Sequence, residues 1–135
     1  MPRHQSTTHT ILHFCCDDRD LTLRAELLAA SGYRVLSSSN GFETIELCTR
    51  EPVDAVVLDL DHNRAEVEVI AREIKQLHPR LPTIVLTEAS AHIDGIHELA
   101  DAIVPRENPP ALVQSLARLL SPSGNPDAIG SALIN

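Results

Sequence analysis

Acidic side chains stand at two places where a buried strand is predicted to end. Asp59 follows the apolar run 55–58, while Asp17 and Asp18 follow the apolar run 10–15. Carboxylates that converge from two strand ends repel one another, and a divalent cation such as Mg²⁺, which prefers oxygen ligands, relieves that repulsion. We therefore interpret Asp17 and Asp59 as candidate metal ligands.

A carboxylate beside a bound cation can attack a phosphoryl group and form an acyl phosphate. The transferred group then needs its oxygens stabilised by a metal, a hydroxyl and a second cation. Thr87, at the end of another apolar run, is the candidate hydroxyl, and Arg106, just after the last run, is a weaker candidate for the cation. This set predicts phosphoryl chemistry centred on Asp59.

Each of these residues also has a structural interpretation. An aspartate at a strand end can cap the following loop, and acids are common at a helix N-terminus, as Asp17 and Asp18 would be. Thr87 is a β-branched residue that suits a strand, and Arg106 has the position of a solvated charge. Function is favoured for Asp59 because an acid that closes an apolar strand is costly unless it is used.

The elements that must position these residues alternate between strand and helix five times. Strands are predicted over 10–15, 33–37, 55–60, 83–87 and 101–104, and helices over 21–31, 42–49, 63–77, 91–99 and 108–120. Such alternation predicts an α/β fold, with a parallel sheet covered by helices on both faces. In such folds ligands bind beyond the carboxyl ends of the strands, where the strand order reverses.

Composition narrows the classes of function. The chain has 135 residues, enough for one domain, with 43% apolar residues and a net charge of −8. The negative charge and an aromatic content of 2% argue against nucleic acid as a partner. No apolar run has the length of a membrane span. Three cysteines do not make a disulfide framework, which fits the reducing conditions of the cytoplasm. We therefore predict a cytoplasmic protein, and the lack of a long apolar run predicts that it has no membrane partner.

Four stretches carry a family resemblance through their order and spacing: ILHFCCDDRDLTLRAELLAASGYRV, PVDAVVLDL, REIKQLHPRLPTIVLTEAS and ADAIVPRENPPALVQSLARLL. The chain resembles a bacterial response-regulator receiver domain over residues 10–120. The resemblance implies a flavodoxin-like fold, with 1–9 as a disordered lead and 121–135 as a flexible tail. It also implies that Asp59 accepts phosphate from a histidine kinase, with Mg²⁺, and that Thr87 senses the phosphate.

Several positions depart from the family pattern. Receivers carry two adjacent acids after the first strand, where the ungapped register here has Cys15 and Cys16, and only a shifted loop brings Asp17 into the pair. The Lys-Pro after the fifth strand is replaced by Pro105 and Arg106, and the aromatic switch residue by Ala102. Thiols are poor ligands for magnesium, so phosphoryl transfer to Asp59 loses charge stabilisation.

Three functions follow. The first is a stand-alone, non-enzymatic receiver that is phosphorylated on Asp59 and signals by docking. The resemblance implies that the docking surface is the fourth helix, fifth strand and fifth helix. The alternative is a pseudo-receiver, an interaction module without phosphoryl chemistry. The third is a redox or metal sensor built on Cys15 and Cys16. The predicted partners are a sensor histidine kinase or phosphotransfer protein and a downstream protein target, and a homodimer stays open.

Overall fold

A computed structural model describes residues 8–60, 64–88 and 95–121 of the chain. Five parallel strands form one sheet in the order β2-β1-β3-β4-β5. The strands are β1 (Thr10–Phe14), β2 (Arg34–Ser38), β3 (Ala55–Asp59), β4 (Thr83–Thr87) and β5 (Ala102–Pro105). The helices are α1 (Asp18–Ala30), α2 (Gly41–Arg50), α3 (Arg64–Leu77) and α4 (Pro109–Leu120).

Alternation along the strands divides the core into two layers, because successive side chains point to opposite faces of a sheet. On one face α1 and α4 cover the sheet through Leu28, Leu112 and Leu116. On the other face α2 and α3 cover it through an aliphatic cluster whose helical members are Cys48, Val67, Ile70, Ala71 and Ile74. The strands are buried on both faces, as a parallel sheet requires.

Local sequence explains the helix ends. Asp17 caps α1 by accepting hydrogen bonds from the backbone N–H groups of Arg19 and Asp20. At the other end Gly32 adopts a φ of 100°, and the N–H groups of Gly32 and Tyr33 bond back into the last turn, as in a Schellman motif. Helix α1 therefore begins three residues earlier than the apolar spacing predicts.

Asparagine side chains cap the starts of α2 and α4. Asn40 caps α2, and Gly41 is the first helical residue, so α2 begins one residue earlier than the helix predicted over 42–49. A side chain at Gly41 would crowd α3, since a Cβ atom there would lie 3.0 Å from Glu66 Oε2 and 3.2 Å from Ile70. Asn108 caps α4, whose first two residues are prolines, which suit the first turn of a helix.

The predicted α/β class, with a five-stranded parallel sheet of flavodoxin-like strand order, is confirmed. The described ranges contain four helices, not five: residues 95–99 are turns, and the rest of the helix predicted over 91–99 lies outside the described residues. Most of the predicted lead and tail, and the first residue of the helix predicted over 63–77, also lie outside the described residues. Among the described helices, none has both the length and the apolar character needed to cross a bilayer.

Candidate functional site

Asp59 lies at the end of β3, beside β1, where the strand order reverses. Its side chain is 0% exposed and makes two ion pairs. Oδ2 accepts a hydrogen bond of 2.8 Å from Arg24 Nη1, while Oδ1 accepts bonds of 2.7 Å and 3.2 Å from Arg106 Nη2 and Nε. Both oxygens of the predicted phosphoacceptor are therefore held by guanidinium groups.

Arg24 is the residue that the sequence interpretation missed. It lies in α1, three residues after Leu21 and four before the buried Leu28, so it stands on the face of the helix that meets the sheet. Its side chain is only 10% exposed. A charged residue at apolar spacing was the available signal, because a buried arginine needs a buried anion. That anion is Asp59.

Arg106 follows β5 and also turns inward. Its side chain is 16% exposed, so the interpretation of Arg106 as a solvated charge is wrong. Besides Asp59, it contacts Glu88, with Nη1 lying 3.3 Å from Oε2 of that acid. The Glu88 side chain is 65% exposed, so this second pair is screened by solvent and holds Arg106 less strongly than the buried pair does.

A buried histidine completes the centre. His13 of β1 is 0% exposed, and its Nε2 lies 3.2 Å from Arg24 Nη1. Because the guanidinium can only donate, Nε2 accepts and the ring proton stands on Nδ1, which has no hydrogen-bond partner within the described ranges. The pKa of His13 is lowered from 6.5 to about 3, first by burial and then by the charge of Arg24, while Asp59 opposes both effects. His13 is therefore neutral at physiological pH.

The two adjacent cysteines differ in environment. Cys15 is buried, and its sulfur lies 3.5 Å from Asp59 Oδ2 and 3.6 Å from the Asp17 carbonyl oxygen, so its single S–H group can donate to one or the other. Burial raises the pKa of the Cys15 thiol to about 11. Cys16 is exposed. A protonated, buried thiol is a poor nucleophile and a poor metal ligand, which weighs against the thiol-sensor hypothesis.

In the described part of the chain, both predicted metal ligands, Asp17 and Asp59, are engaged by other groups. Asp17, the proposed second ligand, uses Oδ1 to cap α1, and Asp59 is bonded to two arginines. Within residues 8–60, 64–88 and 95–121, no group of three or more His, Cys, Asp and Glu side chains could hold a metal ion. Two guanidinium groups and a thiol lie against Asp59, where magnesium would need oxygen ligands. The described residues thus do not fit Mg²⁺.

Thr87 occupies the predicted place at the end of β4, next to β3. It is 5% exposed, and its hydroxyl makes no hydrogen bond to any residue in the described part of the chain. Its backbone carbonyl accepts a bond of 2.7 Å from the N–H of Arg106. Ala102 begins β5 and is half-buried. The site roles predicted for Thr87 and Asp59 stay predictions.

Comparison with known proteins adds relatives. The chain is 32% identical over 108 residues to the response regulator MprA of Mycobacterium leprae, an alignment that covers 76% of this chain and 46% of MprA. For MprA of Mycobacterium sp. strain KMS the identity is 31% over 121 residues, covering 82% and 53%. The chain thus spans about half the length of the curated relatives it matches. No family model matches it.

Solved structures give the same fold. The response regulator TrrA of Thermotoga maritima, solved in complex with Mg²⁺ and BeF, has a TM-score of 0.77 and 26% identity, covering 84% of this chain and all 100% of TrrA. The receiver domain of a sensor histidine kinase from Pseudomonas aeruginosa, with magnesium in its active-site cleft, has a TM-score of 0.75 and 21% identity, covering 84% and 98%. Strand order, the position of Asp59 and these likenesses agree, and the chain belongs to the response-regulator receiver domains of two-component systems.

Proposed function

We propose that this receiver domain is a pseudo-receiver, a non-enzymatic protein-interaction module that works without phosphoryl transfer to Asp59. The observation that carries the proposal is the pairing of Asp59 with Arg24 and Arg106, at 2.8 Å and 2.7 Å, around a side chain with 0% exposure. This is the alternative of the two receiver functions predicted from sequence, and the geometry favours it.

The pairing opposes the chemistry at its first step. A carboxylate attacks phosphorus through an oxygen lone pair, and the phosphorus must approach that oxygen closely. Here Oδ2 is bonded to Arg24, with the Cys15 sulfur 3.5 Å away, and Oδ1 is bonded twice to Arg106. A phosphoryl donor would have to displace at least one guanidinium from a buried anion, which is strongly unfavourable because the displaced charge stays buried.

The structure also leaves little need for the divalent cation that phosphoryl transfer to Asp59 would use. The charge of Asp59 is balanced by two fixed guanidinium groups, so a divalent cation beside Asp59 would meet positive charge at short range. The positions after β1 are thiols, and Cys15 is buried and protonated. Asp59 then serves as a structural anion that ties β3 to α1 and to the loop between β5 and α4.

Docking would use the surface formed by β5 and α4, with a histidine kinase, a phosphotransfer protein or a downstream target of the cytoplasm as partner. Arg106 supports this choice, because it connects the start of the β5–α4 loop to Asp59. The loop is thereby held in one position without phosphate. A homodimer formed through the same surface is part of the proposal.

Phosphoryl acceptance remains the competing function, and one observation favours it. Thr87 lies at the end of the strand next to β3, and its hydroxyl is unbonded in the described part of the chain. A hydroxyl in that place is available to a phosphoryl group on Asp59 if the arginines move.

Intact-mass measurement after incubation with acetyl phosphate and MgCl₂ separates the two functions. We expect no mass gain of one phosphoryl group in the wild-type protein, and the same result for Asp59→Asn. A gain seen in the wild type and absent from Asp59→Asn would refute the proposal. Calorimetric titration with MgCl₂ is the second test, and saturable binding at millimolar concentration that Asp59→Asn removes would also count against it.

A further inference from the structure

A cleft between α1 and α4 opens beside the arginine pair. Its volume is about 230 Å³. The apolar part of its lining comes from both helices and from the sheet between them: Leu23, Leu27, Leu86, Pro105, Pro109 and Leu112. The polar part consists of Arg24, Arg106 and Asp20. A mainly apolar concavity with a few convergent polar groups is the usual form of a small-molecule site.

Arg24 has hydrogen-bond donors left over in this cleft. Its two bonds, to Asp59 and to His13, both use Nη1. A guanidinium has five N–H donors, and those on Nε and Nη2 make no hydrogen bond to Asp59 or His13, although Arg24 also acts on the Cys15 thiol and partly offsets the rise in its pKa. The side chain is only 10% exposed, and donors in such a place gain most from an anionic acceptor.

The charges around the cleft favour an anion of low charge. Arg24 shares the buried carboxylate of Asp59 with Arg106, and the neutral His13 beside Arg24 adds no negative charge. Glu88 offsets little, since its side chain is 65% exposed. Asp20 stands in the lining as well, so a multiply charged anion would be repelled where a single negative charge is accepted.

We propose that the α1–α4 cleft binds a compact apolar molecule that carries one carboxylate. The carboxylate accepts from Nε and Nη2 of Arg24, and the apolar body lies against the leucines of α1 and α4. The volume holds about eight water molecules at ~30 Å³ each, which suits an acid of about eight non-hydrogen atoms. This proposal rests on the proposed function, because it requires that Arg24 and Arg106 remain paired with Asp59.

Hexanoate is the probe, with hexan-1-ol as the uncharged control of equal chain length. We expect saturable shifts in a ¹H–¹⁵N NMR titration of the wild-type protein with hexanoate, at a Kd on the order of 0.1–1 mM. Hexan-1-ol should bind at least tenfold more weakly, because it cannot pair with the guanidinium. Equal binding of the two probes, or no binding of hexanoate at 10 mM, overturns the proposal.

Variants locate the binding. Leu23→Trp fills the cleft from a side chain that is 59% exposed, so the fold should persist while hexanoate binding falls at least tenfold. Leu77→Trp is the matched control, because Leu77 is 48% exposed and lies on α3, away from the cleft. Arg24→Lys keeps a positive charge but loses the planar fork, and it should weaken binding at least tenfold. Unchanged binding in Leu23→Trp contradicts the site.

These titrations contain neither Mg²⁺ nor acetyl phosphate, so the two proposals fail separately. Hexanoate binding together with phosphorylation of Asp59 would reject the pseudo-receiver alone. A protein that is neither phosphorylated nor bound by hexanoate would reject the cleft alone.

Discussion

The two faces of the sheet bury their side chains in different ways. Under α2 and α3 the strands present mainly aliphatic groups, such as Leu12, Val56 and Val85. Under α1 and α4 the same strands present apolar groups together with His13 and Asp59. The stability of the first face depends on packing, whereas the second also depends on charge balance inside the protein.

The difference between the two faces shows which groups balance the buried negative charge of Asp59. Alternation along β3 puts Asp59 on the same face as Ala55 and Val57, and α1 is the helix that crosses this face next to β1. Arg24 on α1 is therefore near enough to pair with Asp59. The cations that balance Asp59 belong to the chain itself, so this balance is part of the folding equilibrium. Balance by a bound metal ion would instead depend on the concentration of that ion in solution.

Removal of the central anion should have the largest effect. Asp59→Asn removes the buried anion that Arg24 and Arg106 share, and loss of one member of a buried pair costs about 3–5 kcal/mol of unfolding free energy. Urea denaturation followed by circular dichroism measures this loss. If the variant is as stable as the wild type, the pairs between Asp59 and the two arginines contribute nothing to stability. Both faces of the sheet would then be stabilised by packing alone.

Acidification should weaken the face of α1 and α4 next. The folded-state pKa of His13, about 3, lies below its unfolded value of 6.5, so the unfolded chain binds the extra proton first as pH falls. The free energy of unfolding should drop by about 2 kcal/mol between pH 6.5 and pH 5 through this residue, at ~1.4 kcal/mol per pH unit, and continue to drop towards pH 3.

His13→Val tests the source of that slope. The variant fits the strand and removes the titrating ring, so its stability should vary less over the same pH range by about 2 kcal/mol. Thermal unfolding of both proteins at several pH values provides the comparison. Parallel pH profiles would contradict the assignment of the slope to His13.

A smaller effect should appear on the opposite face, where packing alone is changed. Gly41→Ala adds a methyl group 3.0 Å from Glu66 Oε2 and 3.2 Å from Ile70. The crowding should outweigh the better helix propensity of alanine and lower the unfolding free energy by about 1 kcal/mol. Its pH dependence should match that of the wild type, and a steeper acid slope would show that the faces are coupled.

The smallest effect is expected at the edge of the charged centre. Glu88→Gln removes the second acid paired with Arg106, but this pair is exposed, and its loss should change the unfolding free energy by less than about 1 kcal/mol. The variant is the matched control for Asp59→Asn, since both remove a carboxylate from the same arginine. If Glu88→Gln lowers the unfolding free energy as much as Asp59→Asn does, the exposed pair with Glu88 matters as much as the buried pair with Asp59.

Much of the fold was predictable because its signals are local. The apolar run of β4 was predicted residue for residue, and the cap and prolines of α4 gave its start. The helix predicted over 91–99 is wrong in its described part, because residues 95–99 form turns. Ile96 and Leu99 are buried there all the same, and apolar residues that are buried in a turn give the same short pattern as those in a helix.

The sequence by itself determined the α/β order, the strand that ends in Asp59 and the changed residues beside it, since these depend on periodicity and position. Only the tertiary structure decided what surrounds Asp59. Arg24 lies 35 residues before it and Arg106 lies 47 residues after it. Whether such distant side chains meet depends on how α1 and the β5–α4 loop pack against the sheet. A buried anion then selects the cations that packing brings within reach, because an unpaired charge in the interior is too costly.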